Sequence, residues 1–291
     1  MDFATLKAFV AVAECGSFSS AAAQLYMTQP AVSKRIAALE AELGVKLFDR
    51  LGRGIQLTEA GHKFLTSSRR ILNDLDVSRA EVLSLSAGVV GQLRLATSHH
   101  IGIHRLPPIL KAYTQAHPNV ELDLKFMDSE LACDEVARGE IELAVVTLPD
   151  KVDSKLITEL IWRDPLSIVC AVDHPFTVLD QPFSVTMLTD YKAVLPAQGT
   201  VTRTILLNAL RPFGVTTSTA LETNYLETIK MMVSVGLGWS ALPHKMIDNE
   251  IVAIQTPELA MQRQLGSVQL KGRTLSRAAE AFLDKLRSYD Q

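Results

Sequence analysis

His100 and His104 stand four residues apart in the stretch LATSHHIGIHRLPPIL, the spacing at which two imidazoles on one turn of helix can share a metal ion. No His-Glu-x-x-His pattern accompanies them, and a full ligand set would need Cys133 or Cys170 brought near by folding. No resident metal is therefore expected, and a metal-responsive pair stands as an alternative. The same stretch carries a second chemistry. Thr97 and Ser98 sit where a strand gives way to a helix, and the free N–H groups and dipole of a helix start favour a carboxylate or other anion. His99 and His100 add protonatable donors at the same mouth. Matching loops offer further contacts: Thr147 just past the strand ELAVV, Gly199, Thr200 and Thr202 in the turn PAQGTVTR, and Glu222, Thr223 and Asn224 after another strand. Together they suit binding of a small anionic molecule better than catalysis. No G-x-S-x-G, P-loop, G-x-G-x-x-G after a strand, or lysine-centred cofactor motif occurs, so neither an enzyme nor a cofactor is expected.

A second polar constellation lies near the N-terminus, in TQPAVSKRIAALEAELG at 28–44. Thr28 suits a helix N-cap, Pro30 the first turn and Gly44 the stop. Val32, Ile36, Leu39 and Leu43 share one stripe of that helix, packed on a core. Pro30, Ser33, Lys34 and Ala37 lie opposite, with Gln29 at the edge of that small, flat, polar face. It reads either as bare surface or as a face made to enter a partner. Residues 33–53 carry five cations, Lys34, Arg35, Lys46, Arg50 and Arg53, against three acids, although the whole chain has a net charge of −3.

Periodicity indicates the elements that hold these groups. Leu6, Phe9, Val10 and Ala13 mark a first helix ended by Gly16, and SFSSAAAQL a short second one capped by Ser19 or Ser20. Helix, tight turn, helix with a polar outer face is a helix-turn-helix pattern. VKLFDRLGRGIQLT reads as a hairpin around Gly52-Arg53-Gly54, a wing with Arg50 and Arg53 at its tip. Thr58 can cap a helix reaching to about Ala87, on which Phe64, Ser68, Ile71, Leu75, Ser78, Val82 and Leu85 form a coiled-coil seam. That helix is read as a dimerisation linker.

Beyond the hinge GVVGQ at 88–92, strands and helices alternate to the C-terminus, with separate strands expected at Ile157–Ile161 and Leu166–Cys170. Such alternation implies an α/β fold with parallel sheets, here two small subdomains with a ligand cleft between them. The expected division is 1–58 for the winged helix-turn-helix unit, 59–88 for the linker helix and 89–291 for the α/β domain. Within the last, subdomain I spans 92–162 plus 268–291, and subdomain II spans 163–267. The 291 residues, 47% hydrophobic and 21% charged, are those of an ordinary globular chain of two or three domains. Cys15, Cys133 and Cys170 are scattered without CxxC spacing, which favours a reducing compartment. With no signal-peptide pattern and no apolar run long enough to span a membrane, the cytoplasm is the expected location.

The run from Leu6 to Gly61 closely resembles the N-terminal domain of LysR-type transcriptional regulators. Its marks are the short Ala-rich helix, TQPAVS, LEAELGVKLFDR and LTEAG. LPPIL, HPNVEL, GEIELAVV and VGLGWSALP are similar to that family's effector domain and extend the resemblance over essentially the whole chain. The resemblance implies a winged helix-turn-helix, a linker helix, and a periplasmic-binding-protein-like effector domain of two Rossmann-like subdomains. It implies a homodimer through the linker and a homotetramer, with double-stranded DNA and RNA polymerase as partners and a small-molecule co-inducer in place of a cofactor. It also implies that the helix starting at Thr28 and Pro30 enters the major groove. There Gln29 would read a base edge, Ser33 a base or phosphate, Lys34 and Arg35 phosphates, and Arg50 and Arg53 the backbone or minor groove. Ser and Thr hydroxyls at Thr97 and Ser98 would bind effector. Peroxide-sensing relatives use a cysteine pair in the second subdomain; here Cys170 lies in the apolar strand LSIVCAV and Cys133 in a first-subdomain helix. Redox sensing through Cys133 and Cys170 is thus an alternative, and buried inert thiols fit better.

Overall fold

The computed structural model describes residues 1–51, 54–84, 88–179 and 182–289. The N-terminal unit contains α1 (Phe3–Cys15), α2 (Phe18–Gln24), α3 (Gln29–Leu43) and the hairpin β1 (Phe48–Leu51) with β2 (Gly54–Leu57). Asp2 starts α1 by accepting the Thr5 N–H at 2.7 Å, and Gly16 stops it in the left-handed region at φ +60°. Ser17, not Ser19 or Ser20, caps α2. Phe9, Val12, Ala21, Val32, Ile36 and Leu39 join in one core. Leu43 departs from the expected stripe and is exposed, while Glu40 takes an inner position. The chain turns back after Gly44, and the Leu47 and Phe48 N–H groups need an acceptor there. One Glu40 oxygen accepts from both, and the other pairs with Lys46 at 2.7 Å. The hairpin is antiparallel, Phe48 opposite Leu57 and Leu51 opposite Gly54; Arg53 lies outside the described residues.

Next comes α4 (Glu59–Ser84), its start closed by the Thr58 hydroxyl accepting from the Gly61 N–H at 3.0 Å. Part of the expected seam is used inside the chain. Phe64 packs edge-on against Phe9, ring centroids 5.0 Å apart, and Ser68 is buried. Ile71 stays exposed and Leu75 partly so; Leu85 and the Val82 side chain fall outside the description.

The remaining chain runs β3 (Gly91–Thr97), α5 (His99–His104), α6 (Leu106–Ala116), β4 (Val120–Phe126), α7 (Ser129–Ala137), β5 (Leu143–Thr147) and β6 (Leu156–Ala171). It continues with β7 (Lys192–Leu195), α8 (Val201–Leu210), β8 (Ser218–Glu222), α9 (Leu226–Ser234), β9 (Ser240–Pro243), β10 (Ile251–Ile254), β11 (Gln262–Leu270) and α10 (Arg277–Ser288). The two strands expected at 157–161 and 166–170 are a single strand, β6. Its first part pairs with β11 and its last part with β9 and β10. The sheet order is β10-β6-β11-β5-β3-β4 with β9 also on β6, and β7 pairs with β8. The large sheet is mixed rather than parallel, unlike the parallel pair β7–β8: β3 runs parallel to β4 and β5, but β11 is antiparallel to β5 and β6. The outgoing β6 and the returning β11 lie side by side in opposite directions, which makes their pairing antiparallel.

Two cores flank this crossing. Leu93, Ile109, Tyr113, Trp162, Leu265 and Phe282 belong to the first. Leu166, Ile168, Leu206, Trp239 and Met261 belong to the second. The chain therefore changes subdomain between Trp162 and Leu166 and returns between Met261 and Leu265, earlier than residue 268. Trp239 is a packing residue, fully buried with its indole N–H donating to the Leu188 and Tyr191 carbonyls.

Candidate nucleic-acid interface and effector cleft

On α3 the face away from the core is open. Gln29, Pro30 and Lys34 are exposed, Ser33 and Arg35 partly so, and Thr28 precedes the helix in extended backbone with no cap bond from its hydroxyl. Arg50 sits in β1 with its backbone opposite Ile55. One residue was passed over in sequence. Tyr26, in the turn between α2 and α3, holds φ +54° and is 99% exposed, projecting beside the start of α3. A non-glycine residue in left-handed backbone is uncommon and often marks function.

The second candidate site is a cleft between the two subdomains. Ser98, His99, His100, Asp128, Glu130 and Thr147 line it from the first, and Thr200, Thr202, Asn224 and Arg263 are among those facing them. The first group sits at the C-terminal ends of β3, β4 and β5, where α/β folds present their loops. Gly102 lets α5 rest on β4, since a Cβ there would lie 2.3 Å from the Phe126 ring. Thr97 is not a lining residue: it is buried and its hydroxyl donates to the Val145 carbonyl at 2.8 Å. Gly199 provides the turn into α8 at φ +86° without lining the cleft. Glu222 pairs instead with Arg203, at 2.6 Å.

Contacts cross the cleft and hold it nearly shut. The Asn224 amide donates to Asp128 at 2.8 Å and accepts from the Ala197 N–H at 3.0 Å. Glu130, on the first turn of α7, accepts from the Val201 N–H at 3.0 Å. A carboxylate of the chain itself thus occupies the anion-favouring start of α8. The cavity left is about 50 Å³, and Ser129, Glu130, Thr147 and Val201 also line a neighbouring cavity of about 190 Å³. Asp128 and Glu130 were missed in sequence, although the same rule that found Thr147, a loop just past a strand, reaches them.

Charge in the cleft is mostly consumed. Arg263 and Asp164 are buried; Arg263 donates to Asp164 through Nε at 3.1 Å and Nη2 at 2.5 Å, and Arg105 donates to the other oxygen at 3.0 Å. Burial opposes ionisation of Asp164, but the two guanidiniums override it and hold the carboxyl below its usual range. Beside this group Glu227 reaches from α9 to α5, its Oε1 3.0 Å from His104 Nε2 and 3.5 Å from His100 Nδ1. Burial pushes the His100 imidazole down, and the Glu227 carboxylate opposes it in part. Cys133 and Cys170 are both buried, and burial pushes each thiol up to about 11. Thiols held protonated in this way are poor nucleophiles and disfavour the redox alternative.

Comparison with known proteins identifies the family. Residues 3–62 match the family model described as bacterial regulatory helix-turn-helix protein, lysR family, and residues 86–291 match the LysR substrate binding domain. The chain belongs to the LysR family of transcriptional regulators. An uncharacterised HTH-type transcriptional regulator of Bacillus subtilis, YwqM, is 30% identical to this LysR-family chain over 292 residues, covering 99% of each. Full-length OxyR from Pseudomonas aeruginosa, solved as a point variant and 24% identical, shares the fold with a TM-score of 0.78 over 99% of this chain and 95% of that one. The regulatory domain of CcmR from Synechocystis, solved in complex with 2-PG, is 25% identical over 69% of this chain and 98% of its own, with a TM-score of 0.62. LysR-family membership makes this a DNA-binding regulator and not an enzyme. Among the described residues no helix is long and apolar enough to cross a membrane.

Proposed function

We propose that this LysR-family regulator senses a small, carboxylate-bearing metabolite in its inter-subdomain cleft and converts the change into altered DNA bending and promoter output. The observation that carries the reading is Glu130, a carboxylate already seated on the Val201 N–H at the start of α8. An effector carboxylate takes that place, with Ser98, His99, Thr147, Thr200 and Thr202 around it, and displaced Glu130 joins the two cavities it now lines. The 2-PG held by the similar CcmR domain supports a small-molecule effector. In the DNA-binding half, Gln29 reads a base edge, Ser33 a base or phosphate, and Lys34, Arg35, Arg50 and Arg53 hold the backbone, with Tyr26 against the duplex beside them. The protein works in the cytoplasm as a homodimer through α4, assembled into tetramers, and its output is read by RNA polymerase. The energy comes from the effector's unequal affinity for two arrangements, typically about 1–3 kcal/mol.

The test is a thermal-shift screen of the full chain against small carboxylates, amino acids and sulfur anions. A concentration-dependent rise for one carboxylate, lost in Ser98→Ala and Thr200→Val, is the expected result. A rise that survives both substitutions places the ligand elsewhere and overturns the cleft.

A further inference from the structure

The contact between α5 and α9 uses only part of the chemistry assembled there. His100 and His104 are one helical turn apart, ring centroids 4.8 Å from each other, and Glu227 faces them from the opposite subdomain. A hydrogen bond from His104 to Glu227, at 3.0 Å, explains that pair. It serves His100 less well: that side chain is 5% exposed, and its buried Nδ1 stands 3.5 Å from Glu227 Oε1 without a hydrogen bond of good geometry. A buried polar atom held this loosely is costly, and an ion between the two imidazoles and the carboxylate would satisfy it.

We propose that His100, His104 and Glu227 form a binding site for a divalent transition-metal ion of the zinc class, bridging the two effector subdomains. One donor atom from each residue falls within 4.8 Å of the others, and Glu227 Oε1 stands 3.0 and 3.5 Å from the two imidazole nitrogens. Zinc bonds of about 2.0–2.1 Å in a tetrahedron put neighbouring donors about 3.3 Å apart, so little movement is required. Two imidazoles and one carboxylate suit Zn²⁺ and its neighbours, whereas Mg²⁺ and Ca²⁺ take oxygen ligands. Three protein ligands leave a fourth position for water or a ligand atom. The nearby Arg105, half-buried, and Arg263, buried, offset Asp164 and Glu227, so a bound dication leaves a local excess of positive charge that favours an anion at that position.

The ligands come from both sides of the hinge: α5 packs with the first core and α9 with β7 and β9 of the second subdomain. A bound ion therefore staples the cleft in the arrangement described above. Metal binding stands by itself; its influence on DNA output rests on the cleft reading proposed above.

Calorimetry on the full-length, metal-free protein with Zn²⁺ and with Mg²⁺ tests the site. One Zn²⁺ per chain and no Mg²⁺ uptake is expected, with affinity at least tenfold weaker in Glu227→Gln and in His104→Ala. Both residues are partly exposed, so these variants should fold, and melting without metal checks that they do. The Zn²⁺-induced rise in melting temperature should vanish in both and persist in His62→Ala, an exposed histidine on α4. Stoichiometric Zn²⁺ binding that survives Glu227→Gln and His104→Ala overturns the site, as does absence of uptake. A carboxylate response that persists in His104→Ala leaves the effector reading intact even if the zinc site fails.

Discussion

Gln29 stands at the exposed edge of α3, where an amide can make paired hydrogen bonds to adenine. Gln29→Ala is expected to weaken operator binding by about 1–3 kcal/mol and leave random DNA nearly untouched. Gel shifts on both duplexes at one salt concentration decide it, and equal losses would remove Gln29 from base reading. Glu130 is the matching residue in the cleft. Its bond to the start of α8 combines a cap with a helix-dipole contact, so Glu130→Gln should lower stability by about 0.5–2 kcal/mol. The same change removes a competing anion and should tighten binding of whichever carboxylate responds in the screen. Weaker binding would show that Glu130 helps hold the effector and does not stand in for it.

Among elements, the crossing of β6 and β11 sets the hinge, and it is held by charge as well as by strand pairing. Asp164 on β6 takes Arg263 of β11 and Arg105 of the α5–α6 junction; the first two lie deep in the protein and Arg105 is half-buried. Asp164→Asn leaves two guanidiniums short of a counter-charge and should cost about 3–5 kcal/mol at pH 7, read by chemical denaturation. Because the folded carboxyl titrates below its unfolded value, its contribution is present above pH ~4 and is lost as pH falls through the depressed folded value. The variant should therefore show a shallower acid loss of stability than the parent; parallel slopes would exclude Asp164 as the acid-sensitive group. Beside it, β11 shifts register at Gly266, where a Cβ would lie 2.0 Å from the Glu159 carbonyl oxygen. Neither that shift nor the union of 157–161 with 166–170 into β6 is visible in local periodicity. Strand continuity through a hinge depends on the partner strand laid alongside.

In the whole molecule, Arg69 on α4 joins all three parts. It pairs with Glu14 of α1 at 3.0 Å and with Glu140, just beyond α7, on its other side. This double pair links the DNA-binding unit to effector subdomain I through the linker helix. Partly exposed ion pairs are worth up to about 1 kcal/mol each, so Arg69→Ala should leave both domains folded and DNA affinity within about twofold. What should shrink is the effector-dependent change in DNA bend, measured by circular-permutation gel shift or by energy transfer between labelled duplex ends. An unchanged bend response would show that the signal bypasses Arg69.

The sequence by itself determined the helix-turn-helix, its glycine stops and open face, the linker helix, the α/β character of the remainder and the family. Each of these is written in short-range spacing: a stop at the end of its helix, a stripe at helical period, a turn between strands. Tertiary structure alone decided which groups meet. Glu130 reaches Val201 across 71 residues, Asp164 reaches Arg263 across 99, and Glu227 reaches His104 across 123. It also took Thr97, Gly199 and Glu222 out of the cleft lining, because backbone partners, a turn and Arg203 claim them first. No local pattern records such meetings, since they depend on where a strand crossing brings two distant loops to face each other.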